Sequence, residues 1–324
     1  MFKSSFSFVA AFACTLSLFG ATAAAQTYPT KPIKAIVPFA AGSATDQIGR
    51  AFAAKMSETL GQTIVVENKP GVNGMLGADQ VAKAPADGYT ILFGTNSTNA
   101  ALKSLMKKLP YDQDTAFAPI GFMGAVPLIV AVNKDVKEKT LKELIDMAKA
   151  KPGFVTYASA STSQLVSGAM LAGMAGVEMV NVPYKSGPAA MTDLIGGQVN
   201  MFTADFAVML PQVKAGKVRG LAVTSAKRSR AIPELPTVNE ALGIKDYELI
   251  AYFAAFAPAG TPPEIVAKLN KALNDAANAK EIQDKFSSLG FEIDPGPPEA
   301  LAQRNRRETA KWAKAIKDAK IEPQ

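Results

Sequence analysis

Two short loops carry residue types suited to capturing a carboxylate. Phe39-Ala40-Ala41-Gly42-Ser43-Ala44-Thr45-Asp46 follows an apolar β-type run and opens a helical pattern. Ser159-Ala160-Ser161-Thr162-Ser163-Gln164 occupies the same kind of junction farther along the chain. Small side chains leave the backbone N–H groups of such loops uncovered. A helix start presents several unpaired N–H donors and about half a positive charge, so each loop can hold an anion without lysine or arginine. Ordinary N-capping accounts for either loop alone. Their pairing in two halves of the chain points instead to a clamp for a mono- or dicarboxylate. Asp46 reads first as a first-turn residue stabilising its helix, since it would repel an anionic solute unless that solute also bears an amine.

Further candidates lie at strand ends. Thr95, Asn96 and Ser97 directly follow the run Thr90 to Phe93, where they can line a cleft or simply cap a helix. Tyr184 follows Pro183, and Ala204 and Asp205 follow the run Val199 to Thr203, while Tyr252 interrupts an apolar stretch. Each tyrosine can equally be core packing with a satisfied hydroxyl. Phe39, Phe206 and Tyr252 would leave room for a ring in the solute. Gly71, Gly74 and Gly77 do not have the G-x-G-x-x-G spacing, and no Gly-Lys-Ser/Thr follows, so they read as structural rather than as a phosphate loop.

The chain contains no histidine, which removes Ser-His triads and imidazole metal sites together. There is no G-x-S-x-G elbow, no H-E-x-x-H and no cysteine pair. A hydrolase would need a serine with a lysine base, and no spacing supports one, so no enzyme activity, cofactor or metal is expected. The net charge of +7 comes from scattered residues, with a modest cluster at Arg304, Arg306 and Arg307. Nucleic-acid binders concentrate such charge on one element; here the mild field would gather anionic solutes.

The elements that must position these loops alternate strand and helix. Lys3, the apolar run Phe6 to Gly20 and Ala23-Ala24-Ala25 read as an export signal spanning 1–25, leaving a 299-residue chain that begins at Gln26. Cys14 would leave with the signal, so no disulfide is expected. Ile33 to Phe39 reads as a strand, and Ile48, Phe52, Met56 and Leu60 form one helix face closed by Gly61. Thr140 with Glu143, and Ser161 with Gln164, have capping-box spacing. Pro298 to Ile321 reads as a last amphipathic helix facing inward through Leu301, Trp312 and Ile316. A chain of this size exceeds one core. The rhythm predicts an α/β, two-lobed periplasmic binding fold (type II-like), each lobe a mostly parallel sheet flanked by helices. Lobe 1 takes residues 26–125 and 225–324 and lobe 2 takes 126–224, joined by a two-segment hinge near Met123 to Leu128 and Ala222 to Lys227.

Taken together, Tyr28-Pro29-Thr30-Lys31-Pro32-Ile33, Val37-Pro38-Phe39, Val66-Glu67-Asn68-Lys69-Pro70-Gly71, Asp87-Gly88-Tyr89, Leu109-Pro110-Tyr111-Asp112, Val182-Pro183-Tyr184-Lys185 and Phe256-Ala257-Pro258-Ala259-Gly260-Thr261-Pro262-Pro263 are highly specific. With them the chain resembles the receptors of tripartite tricarboxylate transporters, the Bug family, over essentially all of the mature sequence. The resemblance implies a monomeric periplasmic receptor that closes on a small carboxylate and hands it to integral-membrane permease subunits, its ligand carboxylate held by backbone groups and water from the two loops above. It also implies departures at the places that read the solute. Ala41-Gly42-Ser43 replaces the usual proline-glycine-glycine, histidines common near Gln164 and at Asn181 are missing, and Ala204 stands where an aspartate is common. A sensory receptor signalling to a membrane kinase would share the same pocket.

Overall fold

A computed structural model describes residues 28–324, so the expected export signal lies outside the described residues. The first half runs β1 (Ile33–Val37), α1 (Ala44–Leu60), β2 (Ile64–Asn68), α2 (Met75–Ala82), β3 (Thr90–Thr95), α3 (Leu102–Leu105), β4 (Phe117–Asn133), α4 (Leu141–Ala150) and β5 (Thr156–Ser159). It continues with α5 (Thr162–Ala175), β6 (Val180–Pro183), α6 (Gly187–Ile195), β7 (Met201–Asp205) and α7 (Phe206–Lys214). Then follow β8 (Val218–Val223), α8 (Val238–Leu242), β9 (Ile250–Pro258), α9 (Pro263–Asn278), α10 (Lys280–Ser287) and α11 (Pro298–Asp318).

Local chemistry sets the helix limits. Ser43 caps α1 by accepting from the Asp46 amide, and Gly61 ends it in the left-handed region, while Ile48, Phe52 and Met56 turn inward. The Thr140/Glu143 capping box forms as its spacing predicts. The Ser161/Gln164 box does not. Ser161 makes no capping bond, and Gln164 Oε1 instead accepts from the Ala160 amide at 2.7 Å. Leu301, Trp312 and Ile316 are the buried residues of α11.

Two sheets carry the two lobes. The first has the order β2-β1-β3-β9-β4, and the second continues β4-β7-β5-β6, with β8 pairing β4 as well. The βαβ units give parallel pairs, β1 with β2 and β3, and β5 with β6 and β7. Each sheet also contains antiparallel pairs, because β9 runs against β3 and β4, and β7 and β8 run against β4. The sheets are therefore mixed, and the antiparallel ladders belong to the strands that leave one lobe and return to the other.

The first crossing falls inside β4. Its residues up to Pro127 pair with β9, and from Leu128 onward they pair with β7 and β8. The proline that reads in the sequence as the end of a segment sits where the strand changes partners, a place that tolerates a missing N–H. The second crossing lies between Leu249 and Ile250 rather than near Ala222 to Lys227, and the first 25 residues assigned to the return segment belong with lobe 2. After β8 the chain folds back: the Val223 amide donates to the Pro236 carbonyl at 2.9 Å, and the Tyr247 hydroxyl lies 2.8 Å from Ser167 Oγ on α5. Thr224 ties both crossings together. Its buried hydroxyl accepts from the Leu128 amide at 2.8 Å and donates to the Leu249 carbonyl at 2.6 Å.

Candidate functional site

The strands of both sheets deliver their carboxyl ends to one cleft, a cavity of about 940 Å³ between the lobes. Such a volume lies near the upper end of small-molecule sites. Lobe 1 contributes Phe39, Ala40, Gly42, Ser43, Ala44 and Thr45 from the β1–α1 loop, and Thr95, Asn96 and Ser97 from the end of β3. Lobe 2 contributes Ser159, Ala160, Ser161, Ser163 and Gln164 from the β5–α5 junction, together with Tyr184 and Asp205.

Six expected residues, Asp46 among them, do not line it. Ala41 is exposed on the outer side of its loop. Thr162 and Ala204 are fully buried in packing, Ala204 opposite Ile129 in the β4–β7 ladder. Tyr252 turns the other way, with its hydroxyl on Asn305 Oδ1 and its ring against Phe122. Phe206, considered for holding a ring, is likewise sealed in the core.

Asp46 is held inside its own loop. Its carboxylate accepts from the Gly42 amide at 3.0 Å, from Arg50 Nε at 2.9 Å and from Asn68 Nδ2 at 2.8 Å. Burial pushes its pKa up, but these donors and the Arg50 charge outweigh that and hold it below the usual carboxylate range. The carboxylate thus shapes the loop from behind and does not repel an anion in the cleft.

The amide inventory decides what the cleft can hold. At α1, Ser43 N donates to Ala40 O, Gly42 N and Asp46 N are taken as described, and Gln47 N donates to Ser43 O. The Ala44 and Thr45 amides, in the first helical turn, have no protein acceptor among the described residues. At α5, Leu165 N reaches back to Ser161 O, and the Thr162, Ser163 and Gln164 amides are left without one. Ser161 spends no hydroxyl on capping, and Ser97 Oγ is buried with no protein partner. Asn96 bridges the lobes: its Nδ2 donates to Ser163 Oγ at 3.0 Å and its Oδ1 accepts from the Tyr252 amide at 3.2 Å. Two clusters of unpaired N–H donors therefore face one space across a hydrogen-bonded lobe contact, which suits a carboxylate.

Residues 48–321 match the family model described as the tripartite tricarboxylate transporter family receptor, TctC. The chain belongs to this family. BugT of Bordetella pertussis is 35% identical over 303 residues, covering 92% of each chain. The solved structure of the periplasmic binding protein BugD is 36% identical with a TM-score of 0.87, covering 92% of this chain and 100% of that one. A protein of R. palustris, Rpa4515, solved with adipate, is 34% identical with a TM-score of 0.88 over the same shares. The chain is accordingly a two-lobed solute-binding receptor of a periplasmic family, not an enzyme.

Several lining positions of the receptor carry little sequence signal. The stretch Pro70 to Gly74 forms one lip of the cleft. Gly71, Val72, Asn73 and Gly74 all have positive φ there, and Val72 at φ 47° is a conformation that β-branched residues rarely adopt. Of the three glycines that read as structural, Gly71 and Gly74 shape this lip; at Gly74 a Cβ would stand 2.7 Å from Thr98 Cγ2. Asn181, Ser186, Pro188, Val208, Gln212 and Phe253 also line the wall.

Asp205 is the one acidic side chain among the described lining residues, and burial raises its pKa to about 6. A folded-state pKa above the unfolded value means the native state binds the extra proton. The group then favours folding most below pH ~4 and opposes it as pH rises through about 6. Asp205→Asn is therefore expected to stabilise the receptor by about 1–3 kcal/mol at pH 7.5, a gain that vanishes by pH 4. Thermal denaturation of both proteins at the two pH values measures this. An equal effect at both would show that desolvation of the carboxylate is not its cause.

Proposed function

We propose that this chain is an exported receptor that takes a small carboxylate between its lobes and delivers it to the integral-membrane permease of a tripartite tricarboxylate-type transporter. The observation that carries this reading is the pair of facing helix starts, with the Ala44 and Thr45 amides on one side and the Ser163 and Gln164 amides on the other. The adipate bound by Rpa4515, a relative of the same fold, supports the solute class. The positive start, apolar run and small residues at 1–25 support export, with the mature chain acting in the periplasm as a monomer. A solute touching both loops binds the closed arrangement better than the open one, so closure follows from its differential contacts.

A panel of mono- and dicarboxylates, tested by thermal shift on the mature chain, examines this. A solute held at about 100 times its dissociation constant adds about 2.7 kcal/mol and raises the midpoint by several degrees. Neutral amides and alcohols of the same carbon skeletons are expected to do nothing. If no carboxylate moves the midpoint, the reading fails.

A further inference from the structure

Two acids sit near the cleft, and they are treated in opposite ways. Asp46 receives three hydrogen bonds and faces away. Asp205 lines the cavity, ends β7 and stands at the N-cap of α7, yet makes no capping bond to that helix, and its carboxylate accepts no hydrogen bond from any other described residue. Among the described lining residues the only other charged side chain is Lys185, which is exposed beyond the end of β6. Val208 and Gln212 of α7 and Ala251 and Phe253 of β9, which also line the cavity, carry no charge. None of these residues can neutralise a carboxylate, and Asp205 is partly exposed to the cleft, so its charge is met there only by solvent or by a bound group. The positive end of α7 favours its charged form.

The rest of the cavity supplies donors, namely the amides of α1 and α5 and the hydroxyls of Ser97 and Ser161. Asp205 alone asks for a strong donor in return. Resting on the carboxylate-receptor reading, we propose that the solute is an amino-carboxylate whose acid end lies on the helix amides and whose ammonium group is received by Asp205. Residue 205 would then set specificity between amino-carboxylates and plain acids. A competing arrangement, in which Asp205 is protonated and donates to a second carboxylate, would suit a dicarboxylate.

Calorimetric titration of the mature chain distinguishes these. The probes are L-α-amino acids, ω-amino acids of four to six carbons, the dicarboxylates of equal carbon number and the corresponding monocarboxylates. At least one amino-carboxylate is expected to bind tenfold or more tightly than its deamino and dicarboxylate counterparts. Asp205→Asn should then weaken that solute roughly tenfold to hundredfold, while changing the affinity for the deamino acid less than about threefold. Asp205→Ser serves as a second variant should Asp205→Asn fold poorly. Tighter binding of dicarboxylates, or an unchanged preference in both variants, would overturn the assignment of Asp205 while leaving the carboxylate site standing. No binding of any acid would overturn both.

Discussion

Gly42→Trp is expected to lower affinity for a carboxylate solute by at least about 100-fold, equivalent to ~2.7 kcal/mol, with little loss of stability. Gly42 has φ +80°, which L side chains adopt only with strain, and it sits on the exposed lip of the first amide cluster. A Cβ there would stand 3.6 Å from Pro188 Cγ of the opposite lobe, so an indole must either enter the cleft or hold the lobes apart. The backbone strain costs about 1 kcal/mol, and the exposed position leaves the core intact. Titration with the strongest solute from the thermal-shift panel, paired with a denaturation curve, separates the effects. Unchanged affinity would mean that the β1–α1 loop does not contact the solute.

The second large effect is on the frame that holds the other cluster. Gly168 lies on the buried face of α5, where an added Cβ would meet the Tyr157 ring at 2.3 Å. Gly168→Leu must therefore displace either α5 or β5, and both bring residues to the cleft. Overpacking of this kind costs about 3 kcal/mol or more, and the adjacent Ser167–Tyr247 hydrogen bond holds the same helix to the segment before the second crossing. The denaturant midpoint is expected to fall sharply, with affinity reduced as the α5 amides move. A midpoint equal to that of the unaltered protein would contradict the close approach.

The contrast between these two glycines shows what the sequence could reveal. The β1–α1 loop was legible as a strand-to-helix junction because a run of small residues separates an apolar strand from an amphipathic helix face. The closure of α1 by Gly61 and the Thr140/Glu143 box followed from local rules that the tertiary structure leaves alone. At Ser161 local rules failed, because Gln164 bonds the Ala160 amide and leaves the serine facing the cleft. Pro127, which reads as the end of a segment, does mark the first crossing, but nothing local shows that a single strand, β4, runs through it and changes partners there. The second crossing was illegible because it depends on Thr224, whose hydroxyl joins Leu128 and Leu249 from far apart in the chain. Asp205 reads as a polar residue just after a strand and Tyr252 as one within an apolar stretch, and only the structure turns Tyr252 toward α11 and Asp205 into the cavity.

The central claim is that backbone amides at two facing helix starts grip the acid group of the solute. A crystal structure of the mature chain with the solute that gives the largest thermal shift tests it most directly. A carboxylate oxygen should lie within about 2.7–3.2 Å of an amide nitrogen of Ala44 or Thr45, or of Ser163 or Gln164, directly or through one ordered water. An acid group bound away from both helix starts, or a solute with no acid group filling the cleft, would contradict it.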